Sequence, residues 1–356
     1  QDVLGDLYAY SLVEWDEITE RWHLHDLARI FAKRCLSEAE RLEASKRQAI
    51  HYKTVLGRAK DLYVKGGESV TTGLSLVDQE WGNIRVGQAW AESQIEEDIE
   101  AAELCIEYPE NGAYVLELRL HPREHIHWLE LQVTAARQLN RRYSEGFALG
   151  GIGLAHARLG EPKKTIEFYQ QRLIIAREID DRRGESSMLG NLGIEYKNLG
   201  ETEKAIEFYE QALMIDREIS DRHGEGTDLG NLGFAYARLG NTQKAIEYYE
   251  QALIINREVG NRRSEGNVLG NLGLAYSDLG ESQKAIEYYN QRLAIAREMR
   301  DQRGEGNGLF NLAMALYKIG DCAKAVSSAE ESLRILEEIE SPYASTVRHQ
   351  LAQWRG

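Results

Sequence analysis

Glycine returns at Gly160, Gly200, Gly240, Gly280 and Gly320, a fixed step of 40 residues. No other feature constrains the fold as tightly, because self-similarity at such a period means one supersecondary unit copied in tandem, each copy burying its apolar face only against its neighbours. Five units fill residues 141–340. Each reads as a helix of about 16 residues, a short turn at the recurring Gly, a second helix of similar length and a polar hinge. The hinges are Asp181-Arg182-Arg183-Gly184-Glu185, Asp221-Arg222-His223-Gly224-Glu225, Asn261-Arg262-Arg263-Ser264-Glu265 and Asp301-Gln302-Arg303-Gly304-Glu305, whose leading Asp or Asn can cap the next helix.

In one first helix Leu189, Leu192, Tyr196 and Leu199 form a single stripe, and in the second helix Ala205, Tyr209, Ala212 and Leu213 do the same, the spacing of faces buried against each other. Gly190 and Gly193 sit inside the first helix and recur as Gly230/Gly233 and Gly270/Gly273. An interior helical Gly costs about 1 kcal/mol relative to Ala, so a repeated pair predicts close backbone approach.

These residues resemble the tetratricopeptide consensus: a Leu-Gly pair, an aromatic three residues on, a small Ala opening the second helix, then an aromatic and another Ala. Leu192-Gly193, Tyr196, Ala205, Tyr209 and Ala212 carry it in the second unit; Leu232-Gly233, Tyr236, Ala245, Tyr249 and Ala252 in the third; Leu272-Gly273, Tyr276, Ala285 and Tyr289 in the fourth. The outer units drift, with His156 and Thr165 in the first and Ala313 in the fifth, as ends of a stack do. The resemblance implies an all-α, right-handed superhelix of helical hairpins. Residues 341–356, opened by Pro342, are expected to cap unit five. Residues 37–140 read as an irregular, degenerate hairpin array, with helices over 45–64 and 84–107 and from Trp128 to Leu139, and with Trp81 and Trp90 as core anchors.

Residues 1–36 differ in kind. Tyr10–Val13 and Arg21–Leu24 read as two short strands around a polar turn, with a helix starting at Asp26. The string Arg21-Trp22-His23-Leu24-His25-Asp26-Leu27-Ala28-Arg29 resembles the end of the winged-helix domain in signal-transduction ATPases with numerous domains, the class with NB-ARC-type members that includes plant immune receptors. There a Met-His-Asp motif contacts the phosphates of bound ADP; Leu24-His25-Asp26 stands in its place, so His25 and Asp26 would sense nucleotide in a parent protein. A repeat array follows the winged helix in that class. The plain alternative is that Asp26 caps a helix with His25 packed beside it. The chain opens on Gln1 in what reads as the middle of a fold, which predicts a piece of a longer protein.

The formal net charge is −15, which argues against nucleic acid, whose affinity comes largely from Lys and Arg releasing counterions. Cys35, Cys105 and Cys322 are scattered and odd in number, which predicts a reducing cytoplasm and no disulfide framework. No apolar run approaches the roughly 20 residues of a membrane span. Lys163-Lys164-Thr165 lacks the glycines of a phosphate loop, and Gly151-Ile152-Gly153 falls on a helix, so ADP or ATP with Mg²⁺ is expected only in the parent's nucleotide-binding domain and no cofactor here. His121, His125 and His127 surround Pro122 and Glu124 without a metal-binding order, and the expectation is no metal and no enzyme activity in this segment.

In tetratricopeptide arrays the first helices line a concave groove, which is what the resemblance implies about a ligand's place. The exposed stripe of those helices holds a ladder of Asn191, Asn231, Asn271 and Asn311, broken by Gly151 in the first unit. Asn offers donors and an acceptor and can grip the backbone of an extended peptide. Beside it lie Ser187, Thr227, Asn267 and Asn307, then Ile194, Phe234, Leu274 and Met314, then Asn198, Arg238, Asp278 and Lys318. Two alternatives stand: the ladder binds a ligand, or it bonds adjacent units together. The third set either lines the groove or packs in the core. The function expected is a ligand-sensing, autoinhibitory arm that binds a protein or peptide and releases a parent ATPase to oligomerise, the isolated segment being monomeric. The alternative is a constitutive scaffold joining two proteins.

Overall fold

A computed structural model describes residues 13–16, 21–24, 30–31 and 34–355. The chain divides into two compact units, residues 1–155 and 156–356.

In the first unit, strand β1 (Val13–Asp16) pairs antiparallel with β2 (Arg21–Leu24), Val13 opposite Leu24 and Asp16 opposite Arg21. The first strand thus runs on to Asp16, past its expected end at Val13; residues 10–12 fall outside the described residues, as do His25, Asp26 and the expected helix start, while residues 30–31 are helical. Helices α1 (Glu38–Lys65), α2 (Ser69–Gln94), α3 (Ile99–Gly112), α4 (Leu116–Arg119), α5 (Pro122–Gln138) and α6 (Arg142–Arg158) follow. A capping box starts α1: the Glu40 amide donates to Ser37 Oγ at 3.3 Å, and the Ser37 amide donates to the Glu40 carboxylate at 2.8 Å.

Three expectations for this region need correction. The stretch 45–64 is the longer α1, and α2 begins well before residue 84. The stretch 84–107 is broken between Gln94 and Ile99, where the Asp98 carboxylate accepts from the Glu100 amide at 2.8 Å and caps α3. The helix expected from Trp128 begins at Pro122, since proline's missing N–H costs nothing at a first turn and the His121 ring accepts from the Arg123 amide. The core joins Leu56 of α1, Val77 and Ile84 of α2, Cys105 and Tyr108 of α3, and Trp128 of α5. Trp81 and Trp90 pack half-buried against it, with Trp81 stacked on Trp128 at 6.2 Å between ring centres.

The second unit carries α7 (Pro162–Glu178), α8 (Arg182–Asn198), α9 (Thr202–Glu218), α10 (Arg222–Arg238), α11 (Thr242–Glu258), α12 (Arg262–Asp278), α13 (Ser282–Glu298), α14 (Gln302–Lys318), α15 (Cys322–Glu338) and α16 (Ala344–Arg355). From α7 to α15 every helix has 17 residues. The polar hinges are therefore mostly first helical turns, and the true connections are three residues long. Each connection within a unit passes through left-handed backbone at Gly160, Gly200, Gly240, Gly280 or Gly320, with φ from +70° to +87°, which explains the recurring Gly. Connections between units turn left-handed too, but on Asp180, Ser220, Gly260, Arg300 and Glu340. The carboxylates of Asp181, Asp221 and Asp301 and the amide oxygen of Asn261 accept from the backbone N–H three residues on, as the hinge pattern predicts.

Leu189, Leu192, Ala205, Tyr209, Ala212 and Leu213 are buried; Tyr196 is half-buried. Leu199 is not: it closes α8 with 44% of its surface exposed, and Leu239 and Leu279 repeat this. The paired glycines also part company. A Cβ on Gly193 or Gly233 would lie 2.5 Å from the ring of Tyr209 or Tyr249, whereas one on Gly190 or Gly230 meets nothing nearer than 3.5 Å and 3.8 Å. Burying a tyrosine ring is worth about 2–3 kcal/mol, more than the roughly 1 kcal/mol an interior Gly costs, so Gly193 and Gly233 are stabilising on balance.

Charge crosses each junction in a repeated quartet. Glu185, its side chain 8% exposed, accepts from Arg177 of the preceding unit at 2.7 Å and from Arg182, which also reaches Glu218 at 2.5 Å. The same order recurs as Arg217–Glu225–Arg222–Glu258 and Arg257–Glu265–Arg262–Glu298. At the last junction Arg297 holds Glu305 at 2.6 Å, but Gln302 stands where the second Arg would be. Helix α16 then covers Phe310, Ala313 and Leu336 with Ala344, Val347 and Leu351, and Trp354 stacks on Tyr317 at 4.5 Å. Among the described residues no helix is long and apolar enough to cross a membrane.

Candidate ligand-binding groove

Helices α8, α10, α12 and α14 bury Leu189, Leu192 and their equivalents on one side. Helical geometry then turns residues one or two places away toward another side, where Ser187, Asn191, Ile194 and their equivalents stand. Asn191, Asn231, Asn271 and Asn311 are all half-buried, and none of their side chains makes a hydrogen bond among the described residues. The reading in which the ladder bonds adjacent units therefore has no bond to carry it. A half-buried amide without a partner is costly to keep unless water or a ligand satisfies it.

The neighbouring columns divide. The hydroxyls of Ser187 and Thr227 donate to their own helix, to Arg183 O at 2.9 Å and His223 O at 3.0 Å. Asn267 is exposed, while Asn307 is half-buried with its Oδ1 sealed from solvent and unbonded. In the apolar column Ile194 and Met314 pack against the core, whereas Phe234 and Leu274 are 37% and 46% exposed. Lys197 Nζ lies 5.4 Å from the centre of the Phe234 ring, and burial pulls its pKa below the usual lysine range. Asn198, Arg238 and Asp278 are exposed. Lys318 instead reaches back to the preceding first helix, donating to Ser277 Oγ at 2.9 Å.

Three expected groove residues, Leu274, Asn307 and Asn311, line one cleft of about 450 Å³ together with Arg292, Arg303, Ser341, Pro342 and Tyr343. Arg292 belongs to a second helix, α13, outside the expected stripe.

Another polar cluster lies in the wall. Asp228 is 5% exposed on α10 and Asp216 3% exposed on α9, and Ser186 Oγ of α8 donates to Asp216. Burial, then the charge of Asp216, pushes the Asp228 carboxyl up to about 8; burial also raises Asp216, which shares a hydrogen bond with it. One proton held between two close carboxylates is the arrangement this favours. The three histidines of the first unit separate: His121 caps α5, His125 is buried, and His127 meets the Glu92 carboxylate at 2.9 Å. Among the described residues no three His, Cys, Asp or Glu side chains gather as metal ligands.

Residues 145–218 and 227–298 match the family model described as tetratricopeptide repeat, and residues 307–350 match that of anaphase-promoting complex subunit 5. No curated protein matches the sequence. Among solved structures, the chain is similar to a signal transduction ATPase with numerous domains, bearing a tetratricopeptide repeat sensor, from Pyrococcus horikoshii: 19% identity, TM-score 0.57, covering 99% of this chain and 54% of that one. The chain thus spans about half the length of that protein. It is also similar to BtubC from P. vanneervenii, at 22% identity and TM-score 0.56 over 62% of this chain and 93% of that one. A third likeness is to aspartyl phosphate phosphatase F from Bacillus subtilis, at 13% identity and TM-score 0.59 over 90% and 95%. Identities this low speak for the fold alone. By sequence match and by fold, the helix pairs over residues 145–298 are tetratricopeptide repeats.

Proposed function

We propose that this chain is the ligand-sensing arm of a signal-transduction ATPase, binding an extended protein or peptide segment along its first helices and, until then, holding the parent inactive. The observation that carries the binding step is the Asn ladder: four half-buried, unbonded amides at a 40-residue step on α8, α10, α12 and α14. An extended backbone presents alternating N–H and C=O groups, and Asn can serve both. The fold likeness to the Pyrococcus horikoshii sensor-bearing ATPase, running over nearly the whole chain, supports the choice of parent. On this reading β1 and β2 are the end of a winged-helix domain of NB-ARC type, His25 and Asp26 attend ADP or ATP with Mg²⁺ held upstream, and ligand arrival frees the parent to oligomerise. Moving such a switch from closed to open takes a differential of about 5.5 kcal/mol, within reach of contacts spread over four units.

The test replaces Asn191, Asn231, Asn271 and Asn311 by Ala together in the full-length polypeptide. Loss of ligand-triggered assembly with an unchanged nucleotide content is expected; intact triggered assembly would overturn the groove assignment. Replacing His25 by Ala is expected to loosen ADP and raise basal assembly. Unchanged ADP retention, with assembly independent of nucleotide, would favour a constitutive scaffold instead.

A further inference from the structure

The second helices take no part in the Asn ladder, yet their solvent face is patterned too. Ile174 on α7, Met214 on α9 and Ile254 on α11 stand at one position of the 40-residue repeat, with 57%, 63% and 65% of their surface exposed. Their chain neighbours Leu173 and Ile175, Leu213 and Ile215, and Leu253 and Ile255 are all buried, so the core stripe is complete without them. A single exposed apolar side chain needs no explanation, but a column of three on successive second helices is a feature of the surface. Those helices lie alongside one another further on: Arg257 Nη2 of α11 donates to Gln291 Oε1 of α13 at 2.8 Å, and Arg297 Nη2 of α13 to Glu331 Oε1 of α15 at 3.3 Å.

Seven residues before each of these, two turns away on the same helical face, stands a carboxylate: Glu167, Glu207 and Glu247, continued by Glu287 of α13. All four are exposed, and none of their side chains makes an ion pair or hydrogen bond among the described residues. That sets them apart from the carboxylates four residues after the apolar column, where Glu218, Glu258 and Glu298 are each held by an arginine, Arg182, Arg222 or Arg262. The two columns begin and end together. One repeat earlier the positions hold His127 and Thr134; the apolar column fades to Ala294 beside Glu287, and one repeat later the positions hold Ser327 and Arg334. An apolar rail and a parallel rail of unpaired carboxylates, roughly 10 Å apart along the helices at about 1.5 Å per residue, therefore run across α7, α9 and α11.

We propose that this face docks a basic amphipathic helix of a partner protein, laid across α7, α9 and α11 with its apolar ridge on Ile174, Met214 and Ile254 and its Lys or Arg side chains on Glu167, Glu207 and Glu247. Charge decides the occupant. The carboxylates of the rail have no partner of their own, so a cationic side chain meets them without breaking an existing pair. A second copy of this chain would bring the same carboxylates and a net charge of −15, and an anionic lipid surface would be repelled in the same way. Width decides the conformation: a helix with its side chains is about 10–12 Å across and covers both rails at once, whereas one extended strand spans only about 5 Å. Arg334 puts a like charge where the next apolar contact would fall, which fixes how far along the array the helix reaches. The site lies on the second helices and stands whether or not the Asn ladder grips a ligand.

The test uses the purified 356-residue chain and a model helix of about five turns made only of Leu and Lys, with its Leu on one ridge. The methyl group of Met214, one of 4 Met in the chain, reports binding by NMR, and Met314, packed against the core, is the internal control. A saturable shift at Met214 with Met314 unmoved, weakening as salt rises, is expected. A helix with Glu in place of Lys, or a scrambled sequence of the same Leu and Lys, should not reproduce it. Ile174→Gln with Ile254→Gln, both exposed and therefore expected to leave the circular dichroism unchanged, should weaken binding of the Leu/Lys helix about tenfold. Glu207→Gln with Glu247→Gln should also weaken it and flatten its salt dependence. No shift at Met214, equal affinity in the Ile174→Gln, Ile254→Gln protein, or equal binding of the Glu or scrambled peptide would overturn the site. So would dimerisation of the chain alone that the same double substitution abolishes, which would make the occupant a second copy, or tighter binding to anionic phospholipid vesicles than to the Leu/Lys helix, which would make it a membrane.

Discussion

Stability of the second unit should fall as pH rises, and Asp228 should be the reason. Its carboxyl, buried at the contact of α9 and α10 beside Asp216, is pushed from an ordinary 3.8 up to about 8. Asp216 faces it, Asp221 and Glu225 add negative charge near Asp216, and Ser186 Oγ donates to Asp216. The folded protein therefore keeps a proton that the unfolded chain gives up near pH 4. Between those values the native state binds more protons than the unfolded state, so stability is full at the acid end and is lost as pH rises through the window. One proton of difference gives a slope of about 1.4 kcal/mol per pH unit, or about 4 kcal/mol from pH 5 to pH 8. Against a typical domain stability of about 5–15 kcal/mol that is large enough to see. Urea, being uncharged, is the denaturant to use: unfolding at pH 5, 6, 7 and 8 followed by circular dichroism, with hydrogen exchange to localise the effect to α9 and α10. Asp228→Asn keeps the shape and has no proton to lose. The difference in stability between wild type and Asp228→Asn should grow with pH, the variant being the more stable at pH 8. Parallel pH dependences in the two proteins would refute the assignment.

Two further expectations concern backbone and packing. Gly233→Ala places a Cβ 2.5 Å from the buried Tyr249 ring and should destabilise by about 1–3 kcal/mol, whereas Gly230→Ala, with nothing nearer than 3.8 Å, should stabilise by up to about 1 kcal/mol; thermal melts of the pair check both signs. Arg300 holds φ +55° at the position where Gly260 stands one unit earlier, so Arg300→Gly should raise stability by about 1 kcal/mol, and an unchanged or lower midpoint would contradict the strain argument.

The array was legible because repetition reports the same physics five times. The Gly at each left-handed turn, the Asp or Asn caps and the Leu/Ala/Tyr stripes could all be read from residue type and spacing. Leu199 was misjudged because helical spacing alone does not tell that α8 ends there and lifts its last residue out of the core. In the first unit, where no copy confirms a pattern, the break before Asp98 was invisible: neither Gly nor Pro marks it, and the Pro that is present, Pro109, sits inside α3. The groove's Asn column was found by period, but Arg292 was missed because it lies on the other helix of the hairpin. The signal was available as an Arg in a column that otherwise holds Ala. Asp228 carried a similar signal, an acid in the column of Met188 and Val268.

The charge quartets raise a problem of identity. Because they are nearly the same at successive junctions, they cannot tell one junction from the next, and a chain folding beside its own copies could dock a hairpin onto the wrong neighbour at little electrostatic cost. What differs from junction to junction is the odd residue out: Ser186, Asp216 and Asp228 at one, where the next has Gly226, Asn256 and Val268, and Arg292 over Gly270 at another. A hairpin misplaced by one step would strand a buried carboxylate or press an arginine against a wall without room for it. These irregular side chains act as postal addresses in a street of identical houses, delivering each hairpin to its own place.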